Sequence, residues 1–139
     1  MAGTKSPILF LILALYASTA SAQVFDWPSV ATESVIEVLT SDADGELRET
    51  PVWIVVIDGA AFVRTNDSKW LANIRRGSAV RVRVRDVESG VLAFEVADAA
   101  LKARVEKAFK AKYGSMQRIM SAFRMSEPVV LRLDPKADA

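Results

Sequence analysis

Arg64, Thr65 and Lys69 are the residues of this chain whose types and spacing best suit the binding of an anion. Arg64 and Thr65 end a predicted strand, and residues 66–68 (Asn-Asp-Ser) supply N-cap chemistry for a short helix that begins near Lys69. The first backbone N–H groups of a helix have no intrahelical acceptor, and its N-terminus carries a partial positive charge. Two cations beside free N–H groups predict a phosphate or other anion site.

A predicted β-hairpin positions Arg64. Residues 51–57 form an unbroken apolar run, which predicts a central strand buried on both faces. Asp58 and Gly59 predict a two-residue type I′ turn, because both residue types tolerate positive φ. A two-residue turn sets the register of the opposed residues. The expected pairs are Ile57 with Ala60, Val55 with Phe62, Trp53 with Arg64, and Val52 with Thr65.

The first 22 residues have the composition of a secretory signal peptide. Lys5 gives a short positive region, residues 8–16 are apolar, and residues 20–22 (Ala-Ser-Ala) form a small-residue cleavage signal. A membrane span takes about 20 apolar residues, so an uncleaved anchor is the less favoured alternative. We therefore expect residues 23–139 to form a single domain that is exported, to the periplasm or outside the cell, without a stable membrane anchor.

Composition excludes several classes of function. Removing Lys5 leaves 17 basic residues against 17 acidic ones, and a neutral chain has no electrostatic footprint for nucleic acid. The chain contains neither cysteine nor histidine. Thiol chemistry, Ser-His-Asp hydrolysis and imidazole-ligated metals are therefore excluded, and we predict no metal site.

The remaining pattern indicates a mainly β domain with helices (α+β). Strands are predicted over residues 35–40, 79–87, 91–96 and 128–133, with turns at residues 41–45 and at Ser89-Gly90. Asp98 is expected to cap an amphipathic helix over residues 98–113, which Gly114 ends, and a second short helix is expected over residues 115–125. This order of elements predicts a small antiparallel barrel with helices outside it.

Arg81, Arg83 and Arg85 alternate with valines along one predicted strand. Such a ladder suits a phosphate or nucleic-acid stripe, but it equally suits a sheet face on which cations pair with carboxylates such as Glu95 across strands. The neutral charge of the processed chain favours ion pairing.

Several short motifs resemble the flavin-binding split-barrel superfamily, which includes pyridoxamine-phosphate-oxidase-like proteins and deazaflavin-dependent reductases. They are Thr50-Pro51-Val52-Trp53, Asp58-Gly59, Val63-Arg64-Thr65, Lys69-Trp70-Leu71-Ala72-Asn73-Ile74 and Lys112-Tyr113-Gly114. The resemblance covers most of residues 35–133. It implies a small antiparallel split β-barrel with a short helix after the central hairpin and two helices in the C-terminal half.

The resemblance also implies a binding site. Arg64, Thr65 and Lys69 would hold the phosphate of FMN or a deazaflavin, and Asn73 would be a supporting polar contact. Thr50, Pro51 and Val52 would run their backbone along the isoalloxazine edge. The expected protein is a homodimer with the cofactor at the subunit interface, and the expected activity is that of a flavin- or deazaflavin-dependent oxidoreductase.

Other interpretations stay open. No catalytic acid or base is identified; Tyr113 is the one late tyrosine that could donate a proton, although packing is the commoner role. Haem-degrading relatives need a histidine ligand, which this chain lacks. The alternative role for Arg64 is a cation–π stack on Trp53 across the hairpin. The alternative function is a non-catalytic exported split-barrel module that binds a small molecule or a protein partner without flavin.

Overall fold

The computed structural model describes residues 25–122 and 128–136, with only the backbone given for residues 115–122. The predicted signal peptide and the end of the predicted second helix lie outside the described residues. The elements are α1 (Trp27–Val30), β1 (Ile36–Ser41), β2 (Leu47–Val52), β3 (Val55–Ile57), β4 (Ala60–Thr65), α2 (Lys69–Arg75), β5 (Val80–Val84), β6 (Val87–Glu95), α3 (Ala99–Ala122) and β7 (Val129–Pro135).

The strands form one antiparallel sheet in the order β2-β1-β5-β6-β7-β4-β3. Strands β2 and β3 are consecutive in the chain, with only Trp53 and Ile54 between them, yet they form opposite edges of the sheet. The sheet must therefore curl until its two edges meet at these residues, which we call the crossover. This is the predicted split barrel, and the predicted fold class is confirmed.

The prediction of one central strand over residues 51–57 is wrong. The segment contributes the end of β2 and all of β3, and both are edge strands. Its apolar residues alternate between two cores: Val52 and Ile54 pack inside the barrel, whereas Val55 packs under helix α3. Crossing from one core to another gives the same continuous apolar pattern as a strand buried on both faces.

The hairpin is confirmed only near its turn. Asp58 and Gly59 have φ of 51° and 80°, and Ile57 pairs with Ala60 and Val55 with Phe62. The expected pairs of Trp53 with Arg64 and Val52 with Thr65 are wrong, because β3 begins only at Val55. The observed partners are Ile36 for Val52, Val130 for Arg64 and Val129 for Thr65.

Two hydrophobic cores lie on the two faces of the sheet. The larger fills the barrel and contains residues such as Val38, Val63, Val82 and Leu131. The smaller lies between the outer face and α3 and consists of Val55, Phe62, Val105, Phe109 and Val130, with half-buried neighbours that include Trp53 and Tyr113. Helix α3 therefore covers the outer face of β3, β4 and β7.

The predicted turn at Ser89-Gly90 is also wrong. These residues lie within β6 and pair with Val82 and Arg81, and the chain instead turns at Arg85 and Asp86. Arg85 adopts a positive φ of 55°, and its residue type does not predict such a turn conformation.

The predicted cap of α3 at Asp98 and the predicted interruption at Gly114 are confirmed. The Leu101 backbone N–H donates to the Asp98 carboxylate at 2.8 Å, and Gly114, with φ of 52° and ψ of −124°, interrupts the helix. Among the described residues, no helix is both long and apolar enough to cross a membrane.

Candidate functional site

Arg64 lies at the end of β4 on the outer face of the sheet, beneath α3. Its guanidinium pairs with the Glu106 carboxylate and lies 4.2 Å from the centroid of the Phe109 ring. Its side chain is only 9% exposed. The proposed stacking of Arg64 on Trp53 is therefore replaced by stacking on Phe109, and the charge of Arg64 is compensated within the chain.

Thr65 and the start of α2 form a second polar group. The Thr65 hydroxyl donates to the Ser68 hydroxyl oxygen at 2.8 Å, and Ser68 accepts from the Leu71 backbone N–H at 3.3 Å, as its predicted N-cap role requires. Lys69, the first residue of α2, is exposed. Successive residues of a strand point to opposite faces, so Thr65 points away from the face on which Arg64 lies. Thr65 and Lys69 therefore lie together at the start of α2, and Arg64 contacts a different element.

Asn73 lies in a buried polar cluster between α2 and the β1–β2 turn. Its amide nitrogen donates to the Thr40 hydroxyl at 3.0 Å and to the Asp42 carboxylate at 2.8 Å, and its carbonyl oxygen accepts from Arg76 at 3.0 Å. Both N–H donors of the amide are thus used within the chain. Only the carbonyl oxygen, which has a second lone pair, is left to contact a ligand.

Asp42 is the electrostatic centre of this cluster. Its carboxylate also accepts two hydrogen bonds from Arg48, at 2.7 and 3.0 Å. Hydrogen bonds from Arg48 and Asn73 lower the pKa of Asp42 from 3.8 to about 2, and the nearby charge of Lys69 adds a smaller effect. The predicted turn at residues 41–45 is therefore held by a salt bridge, and the described residues contain no group of three or more potential metal ligands.

Thr50, Pro51 and Val52 lie at the end of edge strand β2. They pair with Val38, Glu37 and Ile36 of β1 on one side, and no described strand pairs with the other side. An edge strand leaves alternate backbone N–H and C=O groups available for a ligand, except that Pro51 has no N–H and offers only its carbonyl oxygen. A central strand would have no such groups, so the corrected position of this segment suits a role along the edge of a cofactor better than the predicted one.

Three residues near this edge were not predicted as site residues. Trp53 and Tyr113 stack face to face, with ring centroids 4.2 Å apart and planes at 4°. Lys112 and Tyr113 also bond the backbone around Ile54. The motif Lys112-Tyr113-Gly114 was a signal in the sequence, but its partner lies 59 residues earlier in the chain and has no local signature.

The three arginines of the predicted ladder are paired, as the neutral composition favoured, although only Arg81 and Arg83 lie on β5 and Arg85 lies in the turn that follows. Arg81 bonds Glu88, Arg85 bonds Glu33, and Arg83 is surrounded by three carboxylates, those of Glu37, Glu49 and Glu88. Glu95, the expected partner, instead pairs with Arg75 of α2. This face is a network of ion pairs in which each cation has an acidic partner.

These features define a split barrel with an open strand edge beside an aromatic stack. The chain belongs to the family DUF2255, described as an uncharacterized protein conserved in bacteria, whose model matches residues 27–132. No curated protein matches the sequence.

Solved structures share the fold at low sequence identity. The heme storage protein HutZ from Vibrio cholerae is 16% identical with a TM-score of 0.64, over 81% of this chain and 89% of that one. An F420-H2 dependent reductase is 18% identical with a TM-score of 0.54, over 73% and 95%. The FAD binding protein from Mycobacterium smegmatis is 15% identical with a TM-score of 0.54, over 82% and 92%. At these identities the likeness shows the fold alone.

Proposed function

We propose that this chain is an exported flavin- or deazaflavin-binding redox protein whose cofactor ring lies along the free edge of β2. The observation that carries the proposal is the position of Thr50, Pro51 and Val52 on an unpaired strand edge that leads directly to the stacked Trp53 ring. A planar heterocycle placed there would find the unpaired side of the β2 backbone along its edge, where Pro51 can only accept a hydrogen bond, and an aromatic surface beside it. Two of the similar structures are named for F420 and FAD.

The phosphate of the cofactor would be held mainly by Thr65 and Lys69, which lie together at the start of α2. Arg64, on the other face of the sheet beneath α3, would be the more distant third member of the predicted clamp. Lys69 is exposed, and Thr65, the last residue of β4, is half-buried with its hydroxyl bonded to Ser68 beside the start of α2. Arg64 would act through the charge of its guanidinium, which already pairs with Glu106. A bound flavin or deazaflavin supplies hydride transfer, and the protein binds and orients it.

Heme fits this chain less well, although HutZ shares the fold. The chain has no histidine, so an imidazole axial ligand is absent. Tyr113 is the single tyrosine among the described residues. Its hydroxyl is already bonded to the backbone of Ile54 and Ser34. The donor set therefore favours a cofactor that is held by stacking and hydrogen bonds.

Cofactor titration tests the proposal. The purified protein should show flavin or deazaflavin absorbance, or should acquire it when FMN or F420 is added. Replacing Arg64 and Lys69 with Ala should weaken binding by a few kcal/mol in total, given about 1.5–3 kcal/mol per charged hydrogen bond. The double variant Arg104→Ala, Lys110→Ala, which removes two exposed cations of α3, is the matched control. Equal affinity of both double variants would rule out the phosphate clamp.

A second candidate function is a non-catalytic exported module that binds a small molecule or a protein partner. The observation that favours it is the pairing of Arg64 with Glu106, which leaves the local charge near zero. A colourless protein that takes up neither FMN nor F420 would support this function and overturn the first.

Export and dimerisation are part of the same proposal. Export predicts that the mature protein lacks the first 22 residues, which the intact mass of protein recovered outside the cytoplasm would measure. The dimer predicts twice the mass of the processed chain by light scattering. An intact N-terminus or a monomer at micromolar concentration would contradict the respective part.

A further inference from the structure

The crossover at Trp53 and Ile54 lacks the hydrogen bonds that a strand ladder would supply. Ile54 is fully buried, and neither it nor Trp53 belongs to a strand. Buried backbone N–H and C=O groups need partners, because leaving one unpaired costs about 1–3 kcal/mol. The chain must therefore satisfy Ile54 with groups from outside the sheet.

Those partners are two consecutive side chains at the end of the first part of α3. The Tyr113 hydroxyl accepts from the Ile54 N–H at 2.9 Å, and its proton is shared between the carbonyl oxygens of Ser34 at 2.8 Å and Ile54 at 3.0 Å. The Lys112 ammonium donates to the carbonyl oxygens of Glu33 at 2.6 Å and Ile54 at 2.7 Å. Both groups therefore tie the helix to the crossover and to the loop before β1.

The same tyrosine fixes the orientation of Trp53. The two rings are nearly parallel at 4.2 Å, so one face of the indole is covered by Tyr113. Trp53 is half-buried, whereas Trp27 and Trp70 are only 3% and 4% exposed. Trp53 is thus the tryptophan with ring surface available to a ligand, and it follows directly after the free edge of β2.

We propose that Lys112 and Tyr113 are positioning residues that hold the crossover, so that the Trp53 indole forms a stacking surface for a planar aromatic heterocycle bound along β2. The stacking part rests on the proposed function, whereas the positioning part does not. Burial lowers the pKa of Lys112 and raises that of Tyr113, in keeping with two groups withdrawn from solvent against the backbone.

Hydrogen exchange of the Ile54 amide tests the positioning part. Tyr113→Phe keeps the ring stack but removes the acceptor of this amide. Lys112→Met removes the donor to the Ile54 carbonyl and keeps an unbranched apolar side chain that is one heavy atom shorter. Exchange of Ile54 should become about tenfold faster in Tyr113→Phe and should increase in Lys112→Met. Lys110→Met, an exposed lysine on the same helix, is the control. An unchanged Ile54 rate in Tyr113→Phe would overturn the positioning role.

Fluorescence of bound FMN tests the stacking part, because an indole stacked on a flavin quenches its emission. Bound FMN should be dim in the wild-type protein and several-fold brighter in Trp53→Leu, with weaker binding in Tyr113→Phe than in Lys110→Met. Equal emission of bound FMN in wild type and Trp53→Leu would overturn the stacking role. A wild-type protein that takes up neither FMN nor F420 would overturn the proposed function and the stacking role together, and Ile54 exchange would still decide the positioning role.

Discussion

The Arg64 guanidinium and the Glu106 carboxylate form an ion pair between the outer face of the sheet and α3. The arginine side chain is 9% exposed and the glutamate 38%, and Phe109 packs against the guanidinium at 4.2 Å. One carboxylate oxygen of Glu106 is buried without a hydrogen-bond partner among the described residues. The pair therefore links α3 to β4 and also sets the charge that an anion near Arg64 would meet.

Removing one partner of this pair should cost more stability than removing a surface pair. Glu106→Gln and Arg64→Met should each destabilise the fold, and their coupling energy in a double-mutant cycle should be about 1–3 kcal/mol. The physical reason is that Glu106→Gln removes a charged partner of the nearly buried Arg64 guanidinium, and Arg64→Met removes the partner of a carboxylate that has one buried oxygen. Urea denaturation of the four proteins gives the coupling.

The pair Arg104–Asp58 is the matched control for this cycle. It also joins α3 to the hairpin region, at 2.7 Å, but its side chains are 56% and 80% exposed. Its coupling should be about 0.2–1 kcal/mol. A coupling for Arg64 with Glu106 no larger than that of the control would show that burial adds nothing to the pair.

Asn73 should contribute to the stability of the fold whether or not a ligand is bound. Asn73→Ala removes the donor to Thr40 and Asp42 and the acceptor for Arg76 from a site that is 3% exposed. The expected loss is about 2–3 kcal/mol in the free energy of unfolding, measured with urea. Asn66→Ala, in the exposed loop before α2, should change it by less than about 0.5 kcal/mol. Similar values for the two variants would contradict the role of Asn73 in the polar cluster.

The low pKa of Asp42 predicts a dependence of stability on pH. Hydrogen bonds from Arg48 and Asn73 lower this pKa from 3.8 to about 2 in the folded state. The folded state thus holds the proton more weakly than the unfolded chain, so the stabilisation is fully present above the unfolded pKa and is lost as pH falls from about 4 towards about 2.

Thermal unfolding followed over this range in wild type and Asp42→Asn measures the effect. The variant should be less stable than wild type above pH about 4, and the difference should shrink as the pH approaches about 2. Asp86→Asn, in the exposed β5–β6 turn, serves as the control. A difference between wild type and Asp42→Asn that stays constant over this range would contradict the prediction.

Local chemistry made the Asp58-Gly59 turn, the Ser68 cap and the Gly114 interruption predictable, since each depends on residues within one turn of the chain. The break at Trp53 and Ile54 was not predictable. A strand buried on both faces needs a continuous apolar run. A crossover whose alternate residues enter two cores needs the same run, so the sequence does not distinguish the two.

The other contacts of the candidate site could not be predicted because their partners lie far apart in the sequence. Arg64 was recognised as a candidate, but its partner Glu106 lies 42 residues later, on a helix whose position over the sheet no local pattern specifies. The same holds for Tyr113 and Ile54. Sequence patterns thus predicted which residues were candidates, and only the topology showed which of them lie together.

Gly114 should be required for its backbone conformation. It has φ of 52° and ψ of −124°, a combination that residues with a side chain rarely adopt, and a Cβ there would meet no atom within 4 Å. Gly114→Ala should therefore cost about 1–3 kcal/mol through strain alone, measured by urea denaturation. The strain falls directly after Lys112 and Tyr113, so the variant should also speed exchange of the Ile54 amide.

Gly90→Ala is the matched control, because Gly90 lies in β6 without a positive φ and its added Cβ would meet the Lys136 side chain only at 3.8 Å, an ordinary contact. The free energy of unfolding of Gly90→Ala should stay within about 0.5 kcal/mol of the wild-type value. If Gly114→Ala were as stable as Gly90→Ala, the chain would have another way to end the first part of α3. The anchoring of the crossover by Lys112 and Tyr113 would then not depend on the glycine that follows them.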